Sequence, residues 1–519
     1  MKYLSFIIIL FVSVSCTDLT PEFYSDLTTA NAYNTESDIN AALVGIYSDL
    51  RPGAGDSYLY RAGYIVTLTD YASDMSYTSY GGDINKMGIS TYDPNNRYFS
   101  RNWREIFALI ANANTLLSKI DDVEMDETAK REIIGQTRFL RALAYLDATD
   151  AWGPVPLLTE PLNPAETYNL PLASVSEVDA VIIEDCKYAN ENLPEEWAAQ
   201  LGLSRATQGA AATLLAKVYA RAHDYTNAMT YIDQVLQSSM YSLNPDYADV
   251  FSGYNPLDMG AIFSILHESA LNGGEITNHF CAADLPEVPN RWGYYAVALE
   301  YWRKYDDADP RKQFFYYNYE GHADRDGSTT HGFLYMMPEP GQTTPPNDTT
   351  KLMQNICTQK YSYEMIEQSY LDSRTNFVFR LADVILLKAE AENEINGPGA
   401  ALPYLNQIRS RAGAPEYGDP GFPVPGSMQD MAETILAERG FELVFEYNRR
   451  ADLIRFGKYV EYTNAYLQEA GVPNTVTEGM IHFPYPLTET YLNSEMDAAN
   501  STRYSRRLEE RRVGKECRS

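Results

Sequence analysis

Two loop-rich stretches place flat aromatic rings beside hydrogen-bonding side chains, a combination suited to holding a ligand rather than reacting with it. The first, within residues 52–100, carries Asp70, Tyr77, Tyr80 and Tyr98; the second is Asn290-Arg291-Trp292-Gly293-Tyr294-Tyr295. Pro286 and Pro289 turn the chain ahead of the second group and a helix-like run over 297–305 follows it, so its rings belong to no apolar stripe and are expected to face solvent. A loop tryptophan also pins loops down, and for Trp292 the two roles weigh equally. Trp103 reads otherwise: Ile106, Phe107 and Ile110 share its helical stripe, which makes it core. The 41 tyrosines decide nothing by number, because a tyrosine on a helical stripe is ordinarily core.

Signatures of catalysis are missing. The chain has no GxSxG, HExxH, Walker glycine loop or GxGxxG, and its six histidines are scattered without ligand spacing. Tyr305-Asp-Asp-Ala-Asp309 and Asp324-Arg-Asp-Gly327 offer oxygens to calcium, but the second departs from the EF-hand loop after its glycine. Both read as solvated acidic turns, and no metal or other cofactor is expected. Glu438, Arg439, Glu442, Glu446, Arg449, Arg450 and Arg455 stand at helical spacings that suit carboxylate–guanidinium pairs between packed helices. Catalysis by those carboxylates would require a pair on an open cleft, so a buried ion-pair network is the expected state.

Cys16 is the one side chain for which a covalent modification is expected. Met1-Lys2, an apolar run over 3–14 and then Ser15-Cys16-Thr17-Asp18 have the grammar of a secretory signal, too short to span a bilayer. A cysteine at the exit suggests lipidation: residues 1–15 are removed, Cys16 carries acyl chains, and 16–36 form a tether. Ser13 departs from the aliphatic residue usual at that point. A formal net charge of -30 argues against nucleic acid, since such a surface repels phosphates. Cys186, Cys281 and Cys357 are far apart and are expected to be buried thiols. Residues 505–519 hold Cys517 in a charged tail that resembles a translated sequencing adapter, and no function is assigned to it.

Helical periodicity dominates the rest. Ser37-Asp38 opens a run with Ile39, Leu43, Ile46, Tyr47 and Leu50 on one stripe, and further amphipathic runs cover about 101–120, 127–151, 175–192, 207–222, 225–239, 378–396, 399–412, 428–447 and 451–470. Leu215, Ala216, Tyr219, Ala228 and Ile232 follow the large, small, aromatic, small, large spacing of a tetratricopeptide helix pair. A looser match runs through Ala389, Ala401, Leu405 and Ile408, and a third begins at Ala142 and Tyr145. The expected fold is mainly α: a tetratricopeptide-like scaffold of helical pairs over about 37–240 and 375–470, with a loop-rich, partly β region over 240–370.

Arg380-Leu-Ala-Asp-Val-Ile-Leu-Leu-Lys-Ala-Glu-Ala-Glu-Asn393, Leu405-Asn-Gln-Ile-Arg-Ser-Arg-Ala-Gly413, Glu438-Arg-Gly-Phe-Glu-Leu443 and Glu446-Tyr-Asn-Arg-Arg-Ala-Asp-Leu-Ile-Arg455 follow one another in the C-terminal part of the chain. Together these four blocks are similar to the SusD/RagB family of nutrient-binding outer-membrane lipoproteins. Upstream, Ala41–Tyr47, Trp103 through Asn114, Arg138-Phe-Leu-Arg-Ala142, Trp152-Gly-Pro-Val-Pro156 and Asp309-Pro-Arg311 also match; Ala499-Asn500-Ser501 departs from the family's closing Gln-Asn-Pro. The resemblance implies one SusD-like domain over 37–504, held to the outer membrane and exposed at the cell surface. It implies a glycan or oligosaccharide ligand, no enzymatic activity, and a SusC-like TonB-dependent β-barrel transporter as partner. A sugar shows alternating C–H faces and hydroxyl edges, which suits the two aromatic loop groups. A polysaccharide-degrading enzyme, or an adhesion or assembly protein, on the same scaffold are the alternative readings.

Overall fold

The computed structural model describes residues 33–50, 65–77, 81–163, 167–198, 204–252 and 373–503, together with Tyr60 and shorter stretches between 258 and 361. Cys16, Cys281 and the tail lie outside the described residues.

Antiparallel helix pairs build the scaffold, as the spacing predicts. Thr207 caps the Gln208–Arg221 helix and Asp224 caps Tyr225–Gln237 by accepting from Asn227 N at 3.1 Å. Leu215, Ala216, Ala228 and Ile232 are fully buried between this pair and its neighbours, and Tyr219 nearly so. The small side chains let the axes approach and the large ones fill the space beside them. Leu381–Asn396 and Pro398–Ala412 repeat the arrangement around Gly397, whose φ of +90 suits glycine, with Ala389, Ala401, Leu405 and Ile408 all sealed. Glu127–Trp152 packs on Val175–Asn192, and there Arg141 grips Asp185 with two bonds of 2.8 Å. Cys186 and Cys357 are buried thiols.

Three helical expectations need correction, each because periodicity does not register a backbone turn. The run expected from 378 begins as the strand Asn376–Arg380, buried throughout, and becomes helix only at Leu381. The run expected to reach 447 ends at Glu442, since Phe445 and Tyr447 adopt φ of +59 and +68. The last long run is two helices, Arg449–Arg455 and Tyr459–Glu469, divided at Gly457 with φ +67.

Short strands join distant parts of the chain. Ala261–Ile265 pairs antiparallel with Asn376–Arg380, Val155–Pro156 with Leu172–Ala173, and Tyr319–His322, Gly332–Met336 and Thr350–Leu352 form a three-stranded sheet. Ser76–Tyr77, Ala296–Ala298 and Asn355–Ile356 form another. The C-terminal segment closes the scaffold. Trp152 Nε1 donates to the Pro484 carbonyl at 3.2 Å, and Trp103, only 5 % exposed, meets Trp152, Phe107 and Tyr485 edge-on or stacked, the core position its spacing predicts. Among the described residues, no helix is long and apolar enough to cross a membrane.

Candidate ligand-binding site

A strand pairing joins the described ends of the two stretches picked out from the sequence. Ser76 lies opposite Val297 and Tyr77 opposite Ala296, antiparallel. In that geometry the chain leaving Tyr77 and the chain arriving at Ala296 lie at the same end of the sheet. Segments about 200 residues apart therefore share one edge. Tyr77 is placed there by its backbone, while Tyr80, Asn290, Arg291, Trp292 and Tyr294 lie outside the described residues.

Asp70, Tyr98 and Tyr295 were expected in the open, and the structure buries all three, at 0, 2 and 0 % exposure. A side chain with no accessible surface offers none to a ligand, so these residues leave the ligand-facing set. Tyr98 is not in a loop: Asn96 accepts from its backbone N–H at 3.0 Å and starts the Arg97–Lys119 helix four residues before the expected start. Tyr295 stacks against His279 with ring centres 5.4 Å apart, packs at a tilt on Phe280 at 5.0 Å and meets Tyr71 edge-on. Its backbone N–H donates to the His279 carbonyl at 2.9 Å.

Asp70 does its work below the surface. Its carboxylate accepts from the backbone N–H of Tyr447 at 2.6 Å and of Arg449 at 2.8 Å, which fixes the turn containing Phe445 and Tyr447. Bulky residues at positive φ are strained by roughly 1–3 kcal/mol and persist only when their surroundings hold them. Here Tyr361 Oη donates to the Phe445 carbonyl at 3.0 Å, Lys360 Nζ to that of Val444 at 3.1 Å, and Tyr447 Oη to Asn376 Oδ1 at 2.5 Å. Phe445 is thereby set 4.9 Å from Phe280, which in turn supports Tyr295. Asp70 is thus a positioning residue for the turn that carries Phe445 into this aromatic cluster. Burial pushes its carboxyl up to about 7, and burial brings the Lys360 ammonium down to about 8.

Charges behind this cluster are paired. Burial alone would raise Asp74, yet Arg449 at 2.8 and 2.9 Å and Lys304 at 3.2 Å hold it at about 2. Glu442 takes Arg311, Arg380 and Arg411; Glu446 takes Arg380 and Lys360; Glu438 takes Arg311 at 2.6 Å and Arg409 at 2.9 Å. Arg439 joins Asp383 and Asp452 at 2.7 Å each, and Arg455 joins Glu390 and Asp452. This is the expected network, with one correction. Arg450 has no carboxylate among the described residues; it donates to the carbonyls of Asp150 and Ile481 and lies 4.0 Å over Phe483. Helical spacing does not register Asp74, Lys304, Lys360 and Arg411, whose charged partners stand 31 to 375 residues away in the chain.

The acidic turn at 305–309 is used internally: Asp309 accepts from the backbone and guanidinium of Arg311, and Asp307 pairs with Lys312 at 2.6 Å. Asp324–Gly327 lies outside the described residues. Neither Asp70 nor Asp74 reaches the surface, so neither is placed to protonate or attack a bound ligand. What the described residues provide is a buried aromatic cluster of Tyr71, His279, Phe280, Tyr295 and Phe445 beside the pairing of Tyr77 with Ala296.

A family model described as the SusD family matches residues 275–501, and one described as starch-binding, associating with outer membrane, matches 22–220. This chain belongs to the SusD/RagB family. SusD-like protein P25 of Formosa agariphila is 26% identical over 96% of this chain and 98% of its own length. SusD-like protein P2 of the same organism is 25% identical over 88% of this chain and 90% of its own. Among solved structures, a laminarin binding SusD-like protein superposes with a TM-score of 0.70 at 24% identity, covering 89% of this chain and 98% of that one. A SusD-like carbohydrate binding protein from Bacteroides fragilis gives 0.73 at 19%, covering 89% and 99%. These likenesses establish the SusD-like fold, in which both loop groups lie within the matched stretches.

Proposed function

We propose that this protein is a non-catalytic lipoprotein of the outer membrane, anchored through Cys16, that holds a glycan and passes it to a SusC-like TonB-dependent barrel. The observation that carries the reading is the antiparallel pairing of Tyr77 with Ala296 beside the buried rings of Tyr71, His279, Phe280 and Tyr295, next in sequence to two segments rich in tyrosine, tryptophan, amide and guanidinium groups. Rings take up the C–H faces of a sugar and the polar groups its hydroxyls. Carbohydrate binding is also in keeping with the family and with what the similar proteins are named for.

Trp292 is assigned as the platform. Replacing it with alanine is expected to cost roughly 1–3 kcal/mol, about tenfold or more in affinity, with the melting curve unchanged. Calorimetry against laminarin and a panel of other glucans, mannans and xylans measures this, and a parallel assay for new reducing ends separates binding from hydrolysis. Equal affinity of wild type and Trp292→Ala removes the assignment, a collapsed melting temperature makes Trp292 core, and released reducing ends make the protein an enzyme.

The barrel partner follows from transport physics. A globular body beside a membrane gives a polar polymer no path through hydrocarbon, whereas a closed barrel does. Extraction in mild detergent with a tagged chain is expected to recover a β-barrel in near-equal amount. Recovery of the protein alone in several such detergents contradicts the partnership.

A further inference from the structure

A second aromatic surface lies far in sequence from both loop groups. Tyr491 is 78% exposed, Tyr168 66% and Leu492 41%, the first two being the most exposed of the large hydrophobic side chains among the described residues. They are held on a seam between segments more than 300 residues apart. Asn169 N donates to the Leu492 carbonyl at 3.0 Å, Asn493 Nδ2 to the Leu170 carbonyl at 2.6 Å, and Leu172 N to Glu495 Oε2 at 3.2 Å. Ser494 donates through both its N–H and its hydroxyl to Asn169 Oδ1 at 3.0 and 3.1 Å. The contacts advance together along both segments, so the two run side by side in the same direction, and Tyr168 and Tyr491 occupy equivalent places just before Asn169 and Leu492. Asn169 reaches this geometry at φ +52, a conformation asparagine tolerates better than most residues.

Water-exposed tyrosines in adjacent places on a pinned seam gain nothing for folding, since their rings are left uncovered. From this arrangement we infer a second, independent glycan-docking platform, made of Tyr168 and Tyr491 with Asn169, Ser494 and Glu495 at its edge, that takes a neutral polysaccharide chain. Rings and hydroxyl-bonding groups side by side are what a sugar chain requires. The exposed carboxylate of Glu495 and the chain's net charge of -30 oppose a polyanion. The inference rests on the proposed glycan-binding role, and it adds a second point of attachment for a polymeric ligand.

Linking two weak sites through one polymer raises affinity without any new contact. The test compares wild type, Trp292→Ala and Tyr168→Ala/Tyr491→Ala in native gels cast with laminarin, starch or galactomannan, and by calorimetry with a hexasaccharide of whichever is bound. The tyrosine double variant is expected to lose roughly tenfold or more in affinity for the polymer and nothing for the hexasaccharide, and Trp292→Ala to keep a residual retardation that the triple variant lacks. Hexasaccharide binding that depends on Trp292, with polymer affinity untouched by the double variant, overturns the platform and spares the main site. No retardation of wild type by any glycan overturns both. Loss of barrel co-purification in the double variant, with polymer binding intact, makes the seam a protein interface and overturns the platform.

Discussion

Glu442→Gln is expected to destabilise the protein by roughly 3–5 kcal/mol, the range for removing one partner from a buried ion pair. Glu442 is fully buried and meets three guanidinium groups, Arg311 at 3.2 Å, Arg380 at 3.1 Å and Arg411. Glutamine keeps the shape and removes the charge, so these cations remain in the interior with too little to balance them. Burial alone would raise this carboxyl, but Arg411, Arg380, Arg311 and Lys360 hold it at about 2. A carboxyl held below its ordinary 4.5 contributes stability that is present above that value and is lost as pH falls toward 2. The gap between wild type and Glu442→Gln in urea unfolding is therefore expected to be widest near neutrality and to shrink below about pH 4. Glu461→Gln, at a side chain 64% exposed and paired only with Lys458, is expected to change stability by less than about 1 kcal/mol. Equal effects of the two substitutions at pH 7 would falsify the buried-network account.

Cys16→Ala is expected to move nearly all of the protein out of the membrane fraction. Each buried CH₂ of an acyl chain is worth about 0.8 kcal/mol, so two or more chains give firm anchoring where one gives only reversible contact. Among the described residues no helix can replace that anchor. The proposed barrel partner would be the remaining tie, and a carbonate wash strips proteins held by such contacts alone. Washed membranes should keep the wild type, which takes up labelled palmitate, and release the variant. A processed Cys16→Ala protein that survives the wash refutes lipid attachment at this residue. Protease added to intact cells is expected to cut the wild type, while complete protection would place it on the inner face.

Much of this protein can be read along the chain. The signal grammar before Cys16 is local, and so is the spacing that seats Leu215, Ala216, Ala228 and Ile232 between two helices. Glu438, Arg439, Glu442 and Glu446 announce a paired interior because repeated charges at helical spacing on packed helices must find partners. Burial of loop aromatics is another matter. Tyr295 and Asp70 sit among turn-forming residues with no periodic stripe, and they are sealed by groups that arrive from elsewhere, His279 and Phe280 over one and the 445–449 turn over the other. Strands of two or three residues are equally silent, since a pairing such as Tyr77 with Ala296 leaves no local pattern in either segment. Sequence alone therefore determined the scaffold and the family. Only the tertiary structure decided which rings are buried together and which short strands pair beside them, because that depends on contacts between residues that local periodicity cannot connect.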